Sequence, residues 1–198
     1  MVSLDNGGLV AGCRSDPVPP LRGFTLLLTG LAGAGKSTLA RRLQDDLKQA
    51  GRSQIMILDG EMFRIPTPGD VRAADAGHDI ATLRMAVVAE AVTRAGGVAV
   101  CAAVAPLDAA RSAARRRIEA WGPFILIHLS TPLAVCEQRD RQTLYRDARL
   151  GRLSRLSGVT HIYETPGDPD LTIDTSHISM EQASCMVMRR LIREGLVS

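Results

Sequence analysis

The residues best suited to chemistry lie in a glycine-rich loop at residues 30–38, which ends in Lys36, Ser37 and Thr38. Glycines in such a loop let backbone N–H groups approach a ligand closely and point together at phosphate oxygens. The lysine is then placed to contact the outer phosphates, and the Ser37 hydroxyl to coordinate Mg²⁺. We therefore predict a P-loop that binds a nucleoside triphosphate through Gly30, Gly33, Ala34, Gly35, Lys36, Ser37 and Thr38.

The elements on either side of this loop must be a strand and a helix. A mostly apolar run fills residues 24–29, and a helical pattern begins at Lys36 and continues through Leu39, Leu43 and Leu47. A helix that begins at the lysine directs its positive end at the bound phosphates. This context favours a P-loop over a chance glycine turn.

A second group of polar residues follows a short apolar run at 55–58. Asp59 and Glu61 would lie at the carboxyl end of this strand, beside the P-loop. Phosphoryl transfer needs carboxylates that position Mg²⁺ and accept the proton of the attacking hydroxyl. We predict Lys36, Asp59 and Glu61 as catalytic residues and leave open which carboxylate is the base. The alternative is a turn aspartate beside a solvent-facing glutamate, and Arg64 could bind a second anion or be an ordinary surface arginine.

The remaining apolar runs, at 98–102, 124–129 and 171–173, lack polar alternation and are separated by helical patterns. Buried strands that alternate with helices form a parallel sheet covered on both faces. We predict a three-layer α/β/α fold of the P-loop NTPase type, with a mostly parallel sheet of about five strands and with ligands at the carboxyl ends of the strands. Helices are predicted from Lys36 and at about 80–95, 107–120, 133–139 and 179–191, and a loop is predicted at 65–78.

The sequence pattern divides the chain into an N-terminal extension and one domain. Residues 1–21 contain several glycines and prolines without periodicity, which predicts a flexible N-terminal extension to a domain at 22–198. Within that domain arginines cluster at 139–155. We predict a mobile lid at about 141–160 that closes over the nucleotide and supplies cations. The alternative is an ordinary helix whose arginines face solvent.

Composition limits the classes of function. The chain has 198 residues, a net charge of +3 and scattered arginines, which gives no case for a nucleic-acid surface. No apolar run is long enough to span a membrane, and the histidines lack metal-ligand spacing. The four cysteines lie far apart without C-x-x-C spacing, which predicts a reduced, cytoplasmic protein. Cys101 and Cys136 are predicted to be buried as small apolar residues.

Several stretches of the chain resemble the adenylylsulfate (APS) kinase family. They include the P-loop at 30–38, Leu-Asp-Gly-Glu-Met-Phe-Arg at 58–64 and Thr-Pro-Leu-Ala-Val-Cys-Glu-Gln-Arg-Asp at 131–140. Members of that family use Mg-ATP to phosphorylate the ribose 3′-hydroxyl of APS, and they are commonly dimers. The resemblance therefore implies ATP and Mg²⁺ as cofactors, a small-molecule acceptor and a homodimer.

The resemblance also implies where both substrates lie. The adenine of ATP would lie near Arg139 and Thr175, and Arg64 matches the substrate-side arginine of the family. The family usually has aspartate where this chain has Glu61, which keeps a carboxylate on a longer arm. The side chains implied at the acceptor are Arg64, His78, Val104, Ala105 and Leu156.

The acceptor half of the chain departs from the family pattern. Residues 76–87 lack an aromatic residue, an arginine and an asparagine of the family motif, and its Ser-Pro-Tyr-Arg motif begins here with Ala105. Residues 154–158 lack a lysine and a second aromatic residue. Two missing stacking faces, at about 1–3 kcal/mol each, are expected to weaken APS binding. Two alternatives to APS phosphorylation remain: a kinase for another small hydroxyl-bearing acceptor, and a non-catalytic nucleotide-binding module.

Overall fold

The computed structural model describes residues 22–64, 74–140, 142–153 and 156–198, without the side chains of residues 74–78. The predictions made for residues 1–21, for most of the 65–78 loop and for Arg141 and Arg155 therefore lie outside the described residues. The flexible extension and the division at residue 22 stay predictions. Within the described residues, no helix is both long and apolar enough to cross a lipid bilayer.

Five strands form one parallel sheet in the part of the chain that the structure describes. Their bounds are β1 (Phe24–Gly30), β2 (Ile55–Asp59), β3 (Val98–Ala102), β4 (Phe124–Leu129) and β5 (Leu171–Ile173). The helices are α1 (Lys36–Gln49), α2 (Ala74–Arg94), α3 (Asp108–Glu119), α4 (Leu133–Gln138), α5 (Leu144–Arg149) and α6 (Met180–Arg193), with a short 3₁₀ helix at Gly60–Phe63. The predicted α/β fold with about five parallel strands is confirmed.

The order of the strands explains where the site lies. The strand order in the sheet is β2-β3-β1-β4-β5. The central strand β1 therefore has β3 and β2 on one side and β4 and β5 on the other, and the direction in which the chain adds strands reverses there. Ligands in open parallel sheets bind at such a reversal, outside the carboxyl ends of the strands. Every residue of β1 is buried, and the strand ends at Gly30, where the P-loop begins.

Two hydrophobic clusters cover the two faces of the sheet. Alternate residues of β1 serve both, because successive side chains of a strand point to opposite faces. Leu26 and Leu28 pack in the cluster that contains Leu39 and Leu43 of α1. Leu27 packs in the cluster that contains Met85 of α2. The central strand and its loop are thereby fixed from both sides.

One boundary was predicted wrongly. Residues 65–78 were expected to form a loop because they are rich in Pro, Gly and Asp, but α2 already begins at Ala74. The helix is anchored by buried Ala81, Met85 and Ala89. An anchored helix adds one hydrogen bond for each further residue it orders, so it extends over alanine-rich sequence despite a glycine. The histidine predicted at the acceptor, His78, therefore lies on α2 rather than in a loop, and its side chain is outside the described residues.

The arginine-rich segment contains a short helix that packs beside the P-loop. Tyr145 of α5 is 1% exposed, and its hydroxyl donates a hydrogen bond to the Ala32 carbonyl at 2.8 Å. Arg149 forms an exposed ion pair with Glu137 of α4 at 2.7 Å. The segment therefore contacts the loop directly, and its predicted motion as a lid stays a prediction.

Candidate active site

The backbone of the P-loop has the conformation that glycine permits. Gly33 and Gly35 have φ values of 79° and 99°, in the region where L side chains are strained. A Cβ atom at Gly33 would also lie 2.6 Å from the carbonyl oxygen of Cys136. The loop therefore requires glycine both for its conformation and for its close contact with α4.

Lys36 is buried at the start of α1. It is 9% exposed, and its Nζ donates hydrogen bonds to the carbonyls of Gly30 at 2.9 Å and Leu31 at 2.7 Å. Burial lowers the pKa of Lys36 to about 8, an effect that the charges of Asp59 and Glu61 oppose. An ammonium group has three N–H donors, so the two carbonyl contacts leave one donor for a phosphate oxygen.

Ser37 and Asp59 bring the P-loop and the end of β2 together. The Ser37 hydroxyl donates to Oδ2 of Asp59 at 3.1 Å. Oδ1 of Asp59 accepts a hydrogen bond from the Glu61 amide at 3.1 Å and caps the 3₁₀ helix. A hydroxyl and a carboxylate are the hard oxygen donors that Mg²⁺ prefers, so these two residues fit the predicted metal.

Glu61 has a different environment from Asp59. Both of its carboxylate oxygens accept from Arg64 at 3.0 Å, and the two side chains are 70% and 44% exposed. Asp59 faces the phosphate loop, whereas Glu61 is paired with a cation at the mouth of the cavity. The geometry therefore favours Asp59 over Glu61 as the carboxylate that acts beside the phosphates.

Arg139 is held by a buried threonine. Its guanidinium donates to the side-chain and backbone oxygens of Thr175, both at 2.8 Å. Thr175 is fully buried, and its hydroxyl donates to the carbonyl of Ala34 at 3.0 Å. Thr175 therefore fixes Arg139 relative to the P-loop, rather than lining the open space itself.

One cavity of about 1080 Å³ joins these groups. The predicted site residues in its wall are Gly33, Gly35, Lys36, Ser37, Thr38, Asp59, Glu61, Arg64, Val104, Ala105 and Arg139. Four other predicted residues lie outside this wall. Ala34, Leu156 and Thr175 are buried, with Leu156 in the apolar core, and Gly30 ends β1 beside Leu129. Their predicted contacts with ligands stay predictions.

Other residues of the cavity wall were not predicted from the sequence. Arg41 lies on α1 one turn after Ser37 and Thr38, so helical spacing could have placed it on the same face. Thr82 on α2 and Met180 on α6 carried no signal, because each belongs to a helix far away in sequence. Also missed in the wall are Ala32, Gly60, Ala81, Ala102, Ala103, Asp140, Gln142 and Leu144.

A family model described as adenylylsulphate kinase matches residues 22–174 of this chain. The chain belongs to the adenylylsulfate kinase family. The sulfate adenylyltransferase of Gibberella zeae is 36% identical over 184 residues, which are 93% of this chain and 32% of that protein. The chain thus spans about a third of the length of the curated relatives it matches.

Solved members of the adenylylsulfate kinase family have the same fold. The APS kinase of Mycobacterium tuberculosis, in complex with AMPPNP and APS, matches with a TM-score of 0.78 and 31% identity over 87% of this chain and 99% of that one. The hexameric APS kinase of Thiobacillus denitrificans matches with a TM-score of 0.66 and 31% identity over 90% of this chain and 30% of that one. The family and the fold are those of a phosphotransferase.

Proposed function

We propose that the protein transfers the γ-phosphoryl group of Mg-ATP to an alcohol, with the 3′-hydroxyl of adenylylsulfate as the first candidate acceptor. The observation that carries this proposal is the position of Asp59 in a single cavity. On one side its carboxylate contacts Ser37 of the P-loop, and on the other side the wall continues to Glu61 and Arg64. A carboxylate between the phosphates and an acceptor can both help to hold Mg²⁺ and accept the proton of the acceptor hydroxyl.

Each residue has a task that its surroundings support. The free donor of Lys36 and the N–H groups of the loop would bind the β- and γ-phosphates. Ser37 and Asp59 would hold Mg²⁺, whose chemistry in such sites is to neutralise charge on the phosphate oxygens. Arg139, fixed by Thr175, would lie against the nucleotide.

The reaction moves one phosphoryl group and one proton. The bond between the γ-phosphorus and its bridging oxygen breaks, a bond from the acceptor oxygen to that phosphorus forms, and ADP leaves. An oxygen of the Asp59 carboxylate accepts the hydroxyl proton. Glu61 is less suited to that step because its exposed carboxylate pairs with the Arg64 cation, whereas Asp59 contacts Ser37 of the P-loop.

The size of the cavity supports the binding of a second ligand beside the nucleotide. About 1080 Å³ exceeds the range of about 300–1,000 Å³ that is usual for one drug-sized ligand. The similar kinase from Mycobacterium tuberculosis was solved with AMPPNP and APS together. Arg64 at the acceptor end could bind the anionic sulfate-phosphate group.

The lining of the same cavity supports a second candidate, another small hydroxyl-bearing acceptor. Among the described residues of the wall none is aromatic, and the acceptor side consists of small residues such as Ala81, Thr82, Ala103 and Val104. Without stacking partners, an adenine loses about 1–3 kcal/mol for each missing face. An acceptor without an adenine ring would lose no binding free energy in this way.

Release of ADP distinguishes the candidates. The wild-type protein would be assayed with Mg-ATP and APS, and separately with a panel of sugars, polyols and amino alcohols, and Lys36→Met would serve as the inactive control. Saturable turnover of APS at micromolar concentration would support the first candidate and rule out the second. Turnover of a panel member, without saturable turnover of APS, would support the second candidate and rule out the first. Tight ATP binding without turnover of any acceptor would contradict both and support a non-catalytic module.

A further inference from the structure

The most buried cation of the described chain lies behind the acceptor wall. Arg111 on α3 is 1% exposed and is among the largest fully buried side chains. Its Nη1 donates to the carbonyls of Ala105 at 2.8 Å and Pro106 at 3.1 Å. Its Nη2 contacts Oδ1 of Asp108 at 3.1 Å. The guanidinium thus binds the turn that leaves β3, and it does not line the cavity itself.

Stability alone does not explain this arginine. A buried charge is unfavourable unless it is well paired, and an apolar side chain of similar volume often does as well. The acidic partner, Asp108, is 59% exposed, and Nε of Arg111 is buried without a hydrogen-bond partner among the described residues. The contacts that the side chain does make are concentrated on the backbone of the turn.

That turn is strained at a residue of the acceptor wall. Ala105 has a φ of 42°, a value that residues other than glycine rarely adopt, and Ala105 lines the cavity with Val104. A strained residue persists only when its surroundings hold it. Here the Ala105 carbonyl points at Arg111, and the two flanking carbonyls are also bound.

The flanking contacts fix the ends of the turn. The Thr29 hydroxyl donates to the Val104 carbonyl at 2.6 Å, and the Glu164 amide donates to the Pro106 carbonyl at 2.9 Å. Arg111 therefore provides the contact at the centre, where φ is positive. Among the described residues, no other hydrogen bond holds the Ala105 carbonyl.

We propose that Arg111 is a positioning residue for the acceptor, because it holds residues 104–106 in the strained conformation that forms the acceptor wall. The inference rests on the proposed function, in which that wall contacts the acceptor. It assigns Arg111 no contact with either substrate. Loss of the guanidinium would let Ala105 relax to a negative φ and move the wall. The P-loop should keep its shape, because the hydrogen bonds of Arg111 go to Ala105, Pro106 and Asp108.

The test uses Arg111→Lys, which keeps the charge but loses the planar pair of donors. Steady-state kinetics would be measured with APS, or with the acceptor that the panel identifies. We expect the KM for the acceptor to rise on the order of tenfold to a hundredfold, as for a small misplacement of a bound group. The KM for ATP should stay within about twofold, because that site is separate. Equal changes in both constants, or no change in either, would overturn the proposal.

The matched control is Arg115→Met, one turn further along α3. Arg115 is also partly buried, pairs with Asp170 at 2.7 Å and lies over the ring of Phe124. Within the described part of the chain it forms no hydrogen bond or ion pair with the turn. Its loss should lower the melting temperature and leave the KM for the acceptor unchanged. A similar rise of that KM in Arg115→Met would mean that Arg111 acts only through the stability of α3.

A rescue variant separates positioning from general damage. Adding Ala105→Gly to Arg111→Lys removes the strain, since glycine adopts a positive φ without steric clash. We expect the double variant to recover most of the lost affinity for the acceptor. A double variant no better than Arg111→Lys would contradict the proposed route through Ala105.

Amide exchange tests the turn independently of activity. In Arg111→Lys, deuterium should enter the peptide that covers residues 103–108 at least about tenfold faster than in the wild type, with the loop at 31–38 unaffected. Unchanged exchange at 103–108 would overturn the inference. Complete inactivity of the wild type with every acceptor would instead defeat the proposed function, so the two failures are distinguishable.

Discussion

The two halves of the cavity are built in different ways. The half that we propose binds the nucleotide is built mainly from consecutive residues of the P-loop, with glycines at positive φ, a lysine bonded to backbone carbonyls of its own loop and a serine that contacts Asp59. Arg139 is the one proposed nucleotide contact from a separate element. The half that we propose binds the acceptor is assembled from side chains on separate elements, such as Arg64, Thr82 and Val104. The first depends on backbone geometry and the second on side-chain identity.

This difference means that the two halves can change independently. Replacing a side chain on α2 or in the turn after β3 alters the acceptor wall without moving the backbone N–H groups of the P-loop. The departures from the adenylylsulfate kinase motifs at residues 76–87 and 105–108 fall in the acceptor half. ATP binding should therefore be retained more faithfully than the choice of acceptor, and the following predictions test that separation.

The largest effect is expected at Lys36. Lys36→Met removes the buried charge that we propose contacts the outer phosphates, and kcat/KM should fall on the order of a thousandfold. Steady-state ADP release measures the loss. Lys48→Met, which removes the other lysine of the chain at an exposed position, is the control and should retain wild-type activity. Activity of Lys36→Met within tenfold of the wild type would contradict the assigned phosphate contact.

The two carboxylates should differ in the step they affect. Asp59→Asn should lower kcat about a hundredfold, since Asp59 contacts Ser37 of the P-loop and is the proposed base. Glu61→Gln should lower kcat less than about tenfold, because Glu61 is exposed and paired with Arg64. Single-turnover rates at saturating ATP separate chemistry from binding. A larger loss of rate in Glu61→Gln than in Asp59→Asn would reverse the assignment.

A change at Arg64 should affect only the acceptor. Arg64→Gln is expected to raise the KM for the acceptor about tenfold through loss of a charge-assisted contact, with the Kd for ATP unchanged. Calorimetry with ATP and kinetics with the acceptor give the two values. Arg42→Gln, which breaks a pair with Asp46 on α1 away from the cavity, is the control. Weaker ATP binding in Arg64→Gln would remove the distinction between the halves.

The smallest effect concerns pH. Burial lowers the pKa of Lys36 to about 8, so in the absence of ligand its ammonium is intact below that pH and is lost above it. Phosphate binding favours the charged form, and the Kd for Mg-ATP should therefore rise about threefold between pH 7.5 and 8.5. Titrations in buffers of different ionisation enthalpy should also detect proton uptake at pH 8.5. A Kd that is flat to pH 9.5 would show that Lys36 keeps its ordinary pKa.

The contrast between the halves also explains how far the sequence alone was informative. A loop of consecutive residues is visible as a continuous motif in the sequence, so Gly33, Gly35, Lys36 and Ser37 could be assigned to one phosphate-binding loop from the sequence alone. The buried strands were equally visible, because a central parallel strand such as β1 is apolar throughout.

The acceptor half could not be assembled in the same way. Thr82 and Met180 line the cavity only because α2 and α6 pack beside it, and no spacing in the local sequence indicates that position. Arg111 was one of many arginines in the sequence, and only the fold shows that it is buried against the Ala105 and Pro106 carbonyls. Thr175 lies on the far side of Arg139, a relation that depends on the packing of β5 beside the loop.

Isothermal titration calorimetry of the wild-type protein with ATP and Mg²⁺ most directly tests the central claim, which is that the P-loop binds ATP. We predict saturable binding with one ATP per chain and a Kd at or below the millimolar level, with the binding heat abolished in Lys36→Met. Folded wild-type protein that gives no binding heat with millimolar ATP, in the presence and absence of an acceptor, would contradict it.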